Sequence, residues 1–477
     1  MALEVRFNTA MNREALERLS KDELIALVLA LADQVAMLST QVAMLSTQVA
    51  MLSTQVAALE ARASQPPKTP DNSSVPPSKG EKTSRPERVK KLRPGHPGTF
   101  RVLAENPDHT IEAFAEACPH CQHGLTPADQ SEVHAYDHID LPPIKPVVTR
   151  IERHRGICPC CRKGFSAPVP EGLEPGSPFG PSIVALILHL HITQAISFER
   201  LVRLMSEVFG LEISEGAIDN MLKRSEPALT QAAETIAAEV RASPVIASDE
   251  TSARVEGKTW WQWVLMSTTA VYYVIVDTRA ASVVINFLGG VRPEVWIADR
   301  YAGQAGHADS RQLCLAHLLR DAQYAIDEGD TIFAPGFKFL LLRAMAIGRR
   351  RPDLKDTTLR QYRSDLDRRL DRLLSQPPTT PAALRLFKAM RRDRDDLFRF
   401  VTRRDVPYTN NGCERALRPS VIFRKVTGCF RSQTGAKIYA AAQSVIATGR
   451  ITGKSAIKAL ADALFPKKTV HQPLIGG

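Results

Sequence analysis

A seven-residue repeat of apolar positions dominates the N-terminal region of the chain. The segment QVAMLST occurs three times in succession, at 34–40, 41–47 and 48–54, and QVAALEA follows it. The repeat places valines and leucines along one helical face: Leu24, Val28, Leu31, Val35, Leu38, Val42, Leu45, Val49, Leu52, Val56 and Leu59. A β-branched residue at one seam position with Leu at the other favours a parallel two-stranded coiled coil. Residues 1–62 are therefore predicted to pair two copies of the chain, and an amphipathic helix packed on its own domain is the alternative.

The composition changes sharply after the repeats. Residues 63–100 are rich in Pro, Ser, Lys and Arg and poor in apolar residues. Such a segment cannot bury enough apolar surface to fold, so it is predicted to be a disordered basic linker. Its positive charges would allow nonspecific contact with DNA phosphates.

Apolar residues at helical spacing return in residues 173–243. Phe198 to Phe209 is predicted to be a helix, and Ser214 is a candidate N-cap for a second helix ending near Arg224. Two helices joined by a short Gly-containing turn fit an HTH-like DNA-binding module. An ordinary hairpin within a helical bundle satisfies the same pattern, and both interpretations stay open.

From Pro244 onward the apolar pattern is typical of strands. PVIASDE, TWWQWVLM, AVYYVIVD and EVWIAD predict four strands, with a helix from Ala280 to Leu288 after the third. A long helical stretch follows. This order predicts an α/β core interrupted by a helical insertion. The predicted segments are a first core segment (244–330), a basic helical insertion (331–405), a second core segment (406–450) and a C-terminal tail (451–477).

Charge supports a polyanionic partner. The chain has 62 Lys and Arg against 51 Asp and Glu, and the stretch from Leu340 to Arg404 alone has 18 against 8. A DNA-facing surface is the favoured interpretation of that stretch, and a solvated helical face is the alternative. A long uncharged run, Trp260 to Val276, is rich in aromatic and β-branched residues and predicts a strand pair. With no recognisable secretory leader, we expect a cytoplasmic, nucleoid-associated protein without a membrane partner.

Two short cysteine clusters share the pattern C-P-x-C-x-x-G. They read CPHCQHG and CPCCRKG, and two such turns can present four thiolates to Zn²⁺ in a closed structural site. The predicted Zn²⁺ ligands are Cys118, Cys121, Cys158 and Cys161. Matching the glycines leaves Cys160 out, while His120 and His123 are near enough to substitute. Residues 101–172 are therefore predicted to be a zinc ribbon.

Three carboxylates stand where a ribonuclease-H-like fold would need them for phosphodiester chemistry with two Mg²⁺ ions. Asp249 follows the apolar run VIAS, Asp299 follows VWIA, and Glu414 lies in NNGCERALRP after the basic insertion. Each has another interpretation by spacing alone. An Asp after a strand is commonly a turn residue, Glu414 has capping-box spacing from Asn411, and Glu250 competes with Asp249.

Several longer motifs together resemble the insertion-sequence-66 family of DDE transposases over nearly the whole chain. They are NSSVPPSKG and GHPG in the linker, the paired CPxC turns, SDET at 248–251, DRYAG at 299–303, QLCLAH at 312–317, and NNGCERALRP at 410–419 leading to Arg424-Lys425. The family usually has a further aromatic residue soon after DxYAG, where this chain has Gln304 to Gly306.

The resemblance implies DNA strand transfer with Mg²⁺ or Mn²⁺ at the terminal inverted repeats of a mobile element. It assigns catalysis and Mg²⁺ binding to Asp249, Asp299 and Glu414, with a helical insertion before the Glu. Basic residues after Glu414 would suit phosphate anchoring, or are a solvated helix face. They are Arg415, Arg418, Arg424 and Lys425.

The sequence as a whole predicts a multidomain α/β transposase with a ribonuclease-H-like core, preceded by coiled coil, zinc ribbon and HTH-like module. Its expected partners are element-end and target DNA, a second copy of the chain, and accessory proteins of the same element. Cys314 and His317 are either half of a second metal site or a hydrogen-bonded pair behind Asp299. The rival functions are a noncatalytic DNA-binding regulator and a metal-dependent nuclease that does not join strands.

Overall fold

The computed structural model describes residues 16–63, 65–73 and 101–466. The start of the predicted coiled-coil segment, most of the predicted linker and the last residues of the predicted tail lie outside the described residues.

Helix α1, Lys21–Ala63, contains all the apolar repeats. The eight seam residues from Val35 to Leu59 are each between 52% and 61% exposed, so none of the described residues covers this face. Lys21–Glu60 is also the one described helix that is long and apolar enough to cross a membrane, by length and composition alone. Pairing of this helix with a second copy of the chain stays a prediction.

The cysteine region forms little regular structure. Strands β1, Arg155–Ile157, and β2, Gly164–Ser166, pair antiparallel around the second cysteine turn. The first turn is closed by an isolated bridge between Ala117 and Gly124. Apolar side chains of the cysteine region are exposed, for example Val133 and Tyr136 at 87% each, so this region has no core of its own.

Three helices lie between the cysteine region and the central sheet. They are α2, Pro181–Leu188, which continues into a π-helical turn, α3, Phe198–Phe209, and α4, Glu215–Arg241. The predicted cap at Ser214 is confirmed, because its hydroxyl accepts a hydrogen bond from the Ala217 N–H at 3.2 Å. Helix α4 runs well beyond the predicted end at Arg224, and Leu229, Ala233 and Val240 on it are buried in the core. Residues 173–243 therefore share a core with the rest of the protein, and the HTH-like DNA-binding module stays a prediction.

The central sheet has five strands in the spatial order β5-β4-β3-β6-β7. They are β3, Val245–Val255, β4, Lys258–Met266, β5, Val271–Val276, β6, Val295–Ala298, and β7, Ser310–Leu313. The first three form an antiparallel meander, whereas β6 and β7 run parallel to β3. Helix α5, Ser282–Leu288, follows β5 near the predicted position.

The two faces of β3 belong to different regions of the core. Val245 and Val255 face one side, where they pack with helices that follow the sheet in sequence. Ile246 faces the other side and packs with Trp296 and helix α5. Because side chains alternate along a strand, Asp249 lies on the first face and Glu250 on the second.

Seven helices follow β7 within the described residues and complete the fold. They are α6, Leu315–Asp327, α7, Ala334–Arg350, α8, Asp356–Leu373, α9, Pro381–Arg392, α10, Asn411–Thr427, α11, Gln433–Ile451, and α12, Ala456–Leu464. The predicted helical insertion corresponds to α7, α8 and α9, which bury a cluster of leucines and phenylalanines against the sheet. The predicted tail includes α12, whose Leu460 is fully buried.

A short stretch of the predicted linker is folded onto the core. Asn72 is only 4% exposed, and its amide donates hydrogen bonds to the Pro67 carbonyl at 3.0 Å and to Asp327 Oδ2 at 2.9 Å. The segment borders a groove of about 780 Å³ that Arg320 on α6 also lines. Composition does not reveal this contact, because it rests on one asparagine that satisfies both its own turn and a distant helix.

Candidate functional site

Asp249 and Asp299 lie side by side on neighbouring parallel strands. The register of β3 and β6 pairs Ala247 with Ile297, and each aspartate comes two residues later along its strand direction. Both side chains therefore leave the same face of the sheet at the same level, on strands whose usual spacing is about 4.8 Å. Asp249 lies inside β3 and not after its end, which corrects the turn interpretation of that residue.

Helix α10 places Glu414 over the same face. The helix packs on β3 and β4, and its N-cap is Asn410. Glu414 Oε1 is buried without a hydrogen-bond partner among the described residues. It lies 3.7 Å from His317 Nδ1 and 3.8 Å from Arg320 Nη1. The capping-box alternative is not observed, because Glu414 is the fourth residue of the helix and the Glu414 N–H donates to the Asn410 carbonyl.

The environment of Asp249 disfavours its negative charge. Burial and the nearby carboxylates of Glu250 and Asp299 raise the pKa of Asp249 to about 7, against a partial opposing effect of the Glu250 N–H and His317. A positive ion beside Asp249 would relieve both the burial cost and the repulsion.

Cys314 and His317 lie beside the carboxylates. Cys314 is the buried N-cap residue of α6, and the Cys314 N–H donates to the Ala298 carbonyl at 3.0 Å. Burial lowers the pKa of His317. Its hydrogen bond with Cys314 and the charges of Cys314, Glu414 and Asp299 outweigh burial and raise the pKa to about 9. The two side chains thus lie together beside the carboxylates, and the described residues contain no group of three His, Cys, Asp or Glu side chains that could hold an ion there.

Glu250 is engaged on the opposite face of the sheet. Its carboxylate accepts hydrogen bonds from Arg279 at 2.6 and 2.9 Å and from Gln304 Nε2 at 2.7 Å. The Gln304 Oε1 in turn accepts from the Trp296 indole at 3.0 Å. Gln304, which lies in the stretch where the resemblance predicts a further aromatic residue, therefore belongs to this network and not to the carboxylate site.

The four basic residues predicted to bind DNA do not form one equivalent set. Arg415, Arg418 and Lys425 are exposed and lie along the outer side of α10. Arg424 is half-buried, and its Nη2 donates to Thr251 Oγ1 at 3.2 Å on β3. Three of the four are thus open to solvent, whereas Arg424 braces α10 against the sheet.

The two cysteine turns have the same backbone geometry. The Cys118 N–H donates to the His123 carbonyl at 2.8 Å, and the Cys158 N–H donates to the Lys163 carbonyl at 2.9 Å. Backbone N–H groups in each turn also lower the pKa values of the Cys118 and Cys158 thiols. The four thiols of the two turns nevertheless remain apart, since no three His, Cys, Asp or Glu side chains are grouped to hold an ion in the described ranges.

Each of the two cysteine turns has one residue in the left-handed backbone conformation. Gln122 and Arg162, each directly after the last cysteine of its turn, have φ angles of 61° and 55°. The pattern glycines Gly124 and Gly164 do not have a positive φ. Because Gln122 and Arg162 occupy equivalent positions, the residues directly before them, Cys121 and Cys161, are equivalent too. Cys160 is therefore not the counterpart of Cys121.

Sequence reasoning missed the residue that connects the site. Asn410 stands out in the sequence only as a member of a longer motif, yet it is 2% exposed and bonded to two separate elements beside the carboxylates. The two consecutive asparagines, Asn410 and Asn411, are a local signal. The hydrogen-bond partners of Asn410, however, are 96 and 162 residues away along the chain.

Comparison with known proteins identifies the family. A search of curated proteins finds no match for the chain. The family model described as Transposase IS66 family matches residues 176–438, which is more than half of the 477 residues. That range includes the central sheet and the three carboxylates. The chain belongs to the IS66 family of transposases.

Proposed function

We propose that the chain is a DDE-type transposase that cleaves and joins DNA at insertion-sequence ends with the help of a divalent metal ion. The observation that carries the proposal is the in-register placement of Asp249 and Asp299 on one sheet face, beneath the helix that carries Glu414. The strand order, with an antiparallel meander beside two parallel strands, supports assigning the core to the ribonuclease-H-like class.

The donor set fits Mg²⁺ or Mn²⁺. Both ions prefer oxygen ligands, and Mg²⁺ in proteins commonly takes one or two carboxylates and keeps several waters. Asp249 and Asp299 would share the first ion, and Glu414, whose Oε1 accepts no hydrogen bond among the described residues, would serve a second. The described residues contain no preformed group of three ligands, so this assignment needs water, DNA oxygens or a small movement of α10 to complete each site. A bound ion would supply activation of the attacking oxygen and stabilisation of the leaving one.

The chain's own side chains would organise the DNA. Hydrolysis at the element end would break one phosphodiester bond and free a 3′-hydroxyl. That hydroxyl would then displace a 3′-oxygen of target DNA, conserving the number of phosphodiester bonds. Arg415, Arg418 and Lys425 would hold backbone phosphates on the outer side of α10, with Arg424 keeping that helix on β3.

Two further aspects of the proposal concern assembly. The exposed seam of α1 would be covered by a second copy of the chain, because Val and Leu recur there in the pattern of a two-stranded coiled coil. Sedimentation of a peptide covering residues 20–62 tests this, and a monomer at tens of micromolar would contradict it. Zn²⁺ would join the two cysteine turns through Cys118, Cys121, Cys158 and Cys161, whose matched backbone geometry presents each pair alike. Accessory proteins of the same element are also proposed partners.

The decisive experiment for function is incubation of the full chain with element-end DNA and Mg²⁺. Cleavage products and strand-transfer products are scored separately. Transposase activity predicts both, whereas a nuclease that does not join predicts cleavage alone. Binding without either product would favour the noncatalytic regulator.

A further inference from the structure

The three candidate carboxylates lie on separate elements that meet at one buried side chain. Asp249 belongs to β3, Asp299 follows β6, and Glu414 belongs to α10. Asn410, the N-cap of α10, is 2% exposed at the point where these elements approach.

Two of these elements are hydrogen-bonded to Asn410 directly. The Asn410 amide donates to the carbonyl of Ser248, the neighbour of Asp249, at 2.8 Å. The Asn410 carbonyl accepts from the Glu414 N–H at 3.2 Å. The backbone N–H of Asn410 also donates to Cys314 Sγ at 3.1 Å.

The cysteine extends the connection to the third element. The Cys314 N–H donates to the carbonyl of Ala298, the neighbour of Asp299, at 3.0 Å. Asn410 and Cys314 thus form one chain of hydrogen bonds that runs from β3 through α10 and α6 to β6.

We propose that Asn410 is a positioning residue that fixes the spacing of Asp249, Asp299 and Glu414 and so sets the affinity of the site for a divalent ion. This inference rests on the proposed function. Its physical basis is that Mg²⁺ demands a near-ideal arrangement of its ligands, and residues that orient ligands are commonly worth about tenfold to a hundredfold in metal affinity.

The Oδ1 of Asn410 is buried without a hydrogen-bond partner among the described residues, and so is the Oε1 of Gln262. An open acceptor therefore does not distinguish Asn410 from a structural amide. What distinguishes Asn410 is its set of bonds to Ser248, Glu414 and Cys314.

The chain offers a matched control for the structural alternative. Gln262 on β4 is also fully buried, and its amide donates to Ser420 Oγ on α10 at 2.8 Å. Gln262 therefore connects α10 to the central sheet, as Asn410 does, but it does so through Ser420, which lies well beyond Glu414 along the helix. A variant at Gln262 should lose stability without changing the ion affinity.

The test measures the Mg²⁺-induced rise in melting temperature of the full chain without DNA, over a series of Mg²⁺ concentrations. The variants are Asn410→Ala, Gln262→Ala and Asp249→Asn, with Asn410→Ser in reserve if Asn410→Ala does not yield folded protein. Ligand linkage makes the half-saturating concentration a readout that does not depend on activity.

We expect Asn410→Ala to need at least about ten times more Mg²⁺ for half of the effect, while Gln262→Ala keeps the wild-type concentration and Asp249→Asn loses the effect. A wild-type Mg²⁺ response in Asn410→Ala or Asn410→Ser, beside its loss in Asp249→Asn, would overturn this inference and leave the proposed function standing. No Mg²⁺ response and no DNA cleavage in the wild-type chain would overturn the proposed metal site and, with it, the role of Asn410.

Discussion

Glu250 and Arg279 form an ion pair on the face of the central sheet opposite Asp249. Arg279 Nη2 lies 2.6 Å from Glu250 Oε1, and the Glu250 side chain is only 2% exposed. The Arg279 guanidinium also lies 3.9 Å from the centre of the Tyr301 ring and 4.8 Å from that of Trp261. Two adjacent acidic residues on one strand thus have separate surroundings, and we predict that Glu250 has a structural role.

Glu250→Gln should therefore lower stability but keep DNA cleavage. The amide keeps the shape of the side chain yet leaves a partly buried arginine without its counter-charge, at a cost of roughly 1–3 kcal/mol. Thermal unfolding and cleavage rate measured on the same preparation check this. Loss of cleavage in Glu250→Gln at full stability would show that the first carboxylate is Glu250 and not Asp249.

The raised pKa of Asp249 predicts a pH-dependent effect of its removal. The folded-state pKa, about 7, lies above the ordinary value of 3.8. The stability that Asp249 contributes is therefore complete below about pH 4 and is lost as the pH rises through about 7. In metal-free protein, Asp249→Asn should gain melting temperature relative to wild type between about pH 5 and pH 8, because the amide never ionises.

The same experiment has its own control in Mg²⁺. Added ion should stabilise wild type at about pH 8 and shrink its difference from Asp249→Asn, since only the carboxylate binds the ion. A difference between the two proteins that is equal at about pH 5 and pH 8 would contradict the assigned electrostatics.

Zinc content distinguishes the three cysteines of the second turn. We expect one Zn²⁺ per chain, retained in Cys160→Ser and lost in Cys161→Ser or Cys118→Ser. The reason is the backbone match, in which Arg162 after Cys161 has the conformation of Gln122 after Cys121. Metal analysis that finds full zinc in Cys161→Ser, or its loss in Cys160→Ser, would reverse the choice of ligand.

Salt dependence of DNA binding should separate exposed from paired arginines. Arg415→Gln with Arg418→Gln removes two exposed charges on α10 and should reduce the slope of log affinity against log salt by about two. The matched control is Arg403→Gln with Arg404→Gln, since these arginines already pair with Glu294, Asp405 and Asp356. An equal loss of slope in the control pair would move the DNA surface to the insertion.

The basic insertion illustrates what sequence can and cannot predict. Its charge excess is clear from the sequence, but many of its arginines are used inside the fold. Arg351 donates to the carbonyls of Phe400, Arg403 and Val406, and Arg343 pairs with Asp365. Charge counting cannot separate such residues from DNA ligands, because the pairing depends on which helices meet.

The strands, and the positions of the candidate carboxylates, were predictable for a different reason. Alternating apolar residues and the positions of Asp249, Asp299 and Glu414 are local features, and the family motifs reinforced them. The extent of α4, the docking of Asn72 on Asp327 and the links made by Asn410 depend on contacts between distant segments. No local pattern specifies those contacts, so they emerged only with the three-dimensional arrangement.

The central claim is that Asp249, Asp299 and Glu414 act together as carboxylates on DNA. The amide variants Asp249→Asn, Asp299→Asn and Glu414→Gln keep the side-chain shapes but remove the charges that would hold the ions. The most direct measurement is single-turnover cleavage of element-end DNA with Mg²⁺, with DNA binding measured in parallel. We predict that each variant binds DNA nearly as wild type does and cleaves at least about a thousandfold more slowly. Cleavage at the wild-type rate by any one of the three would contradict the account.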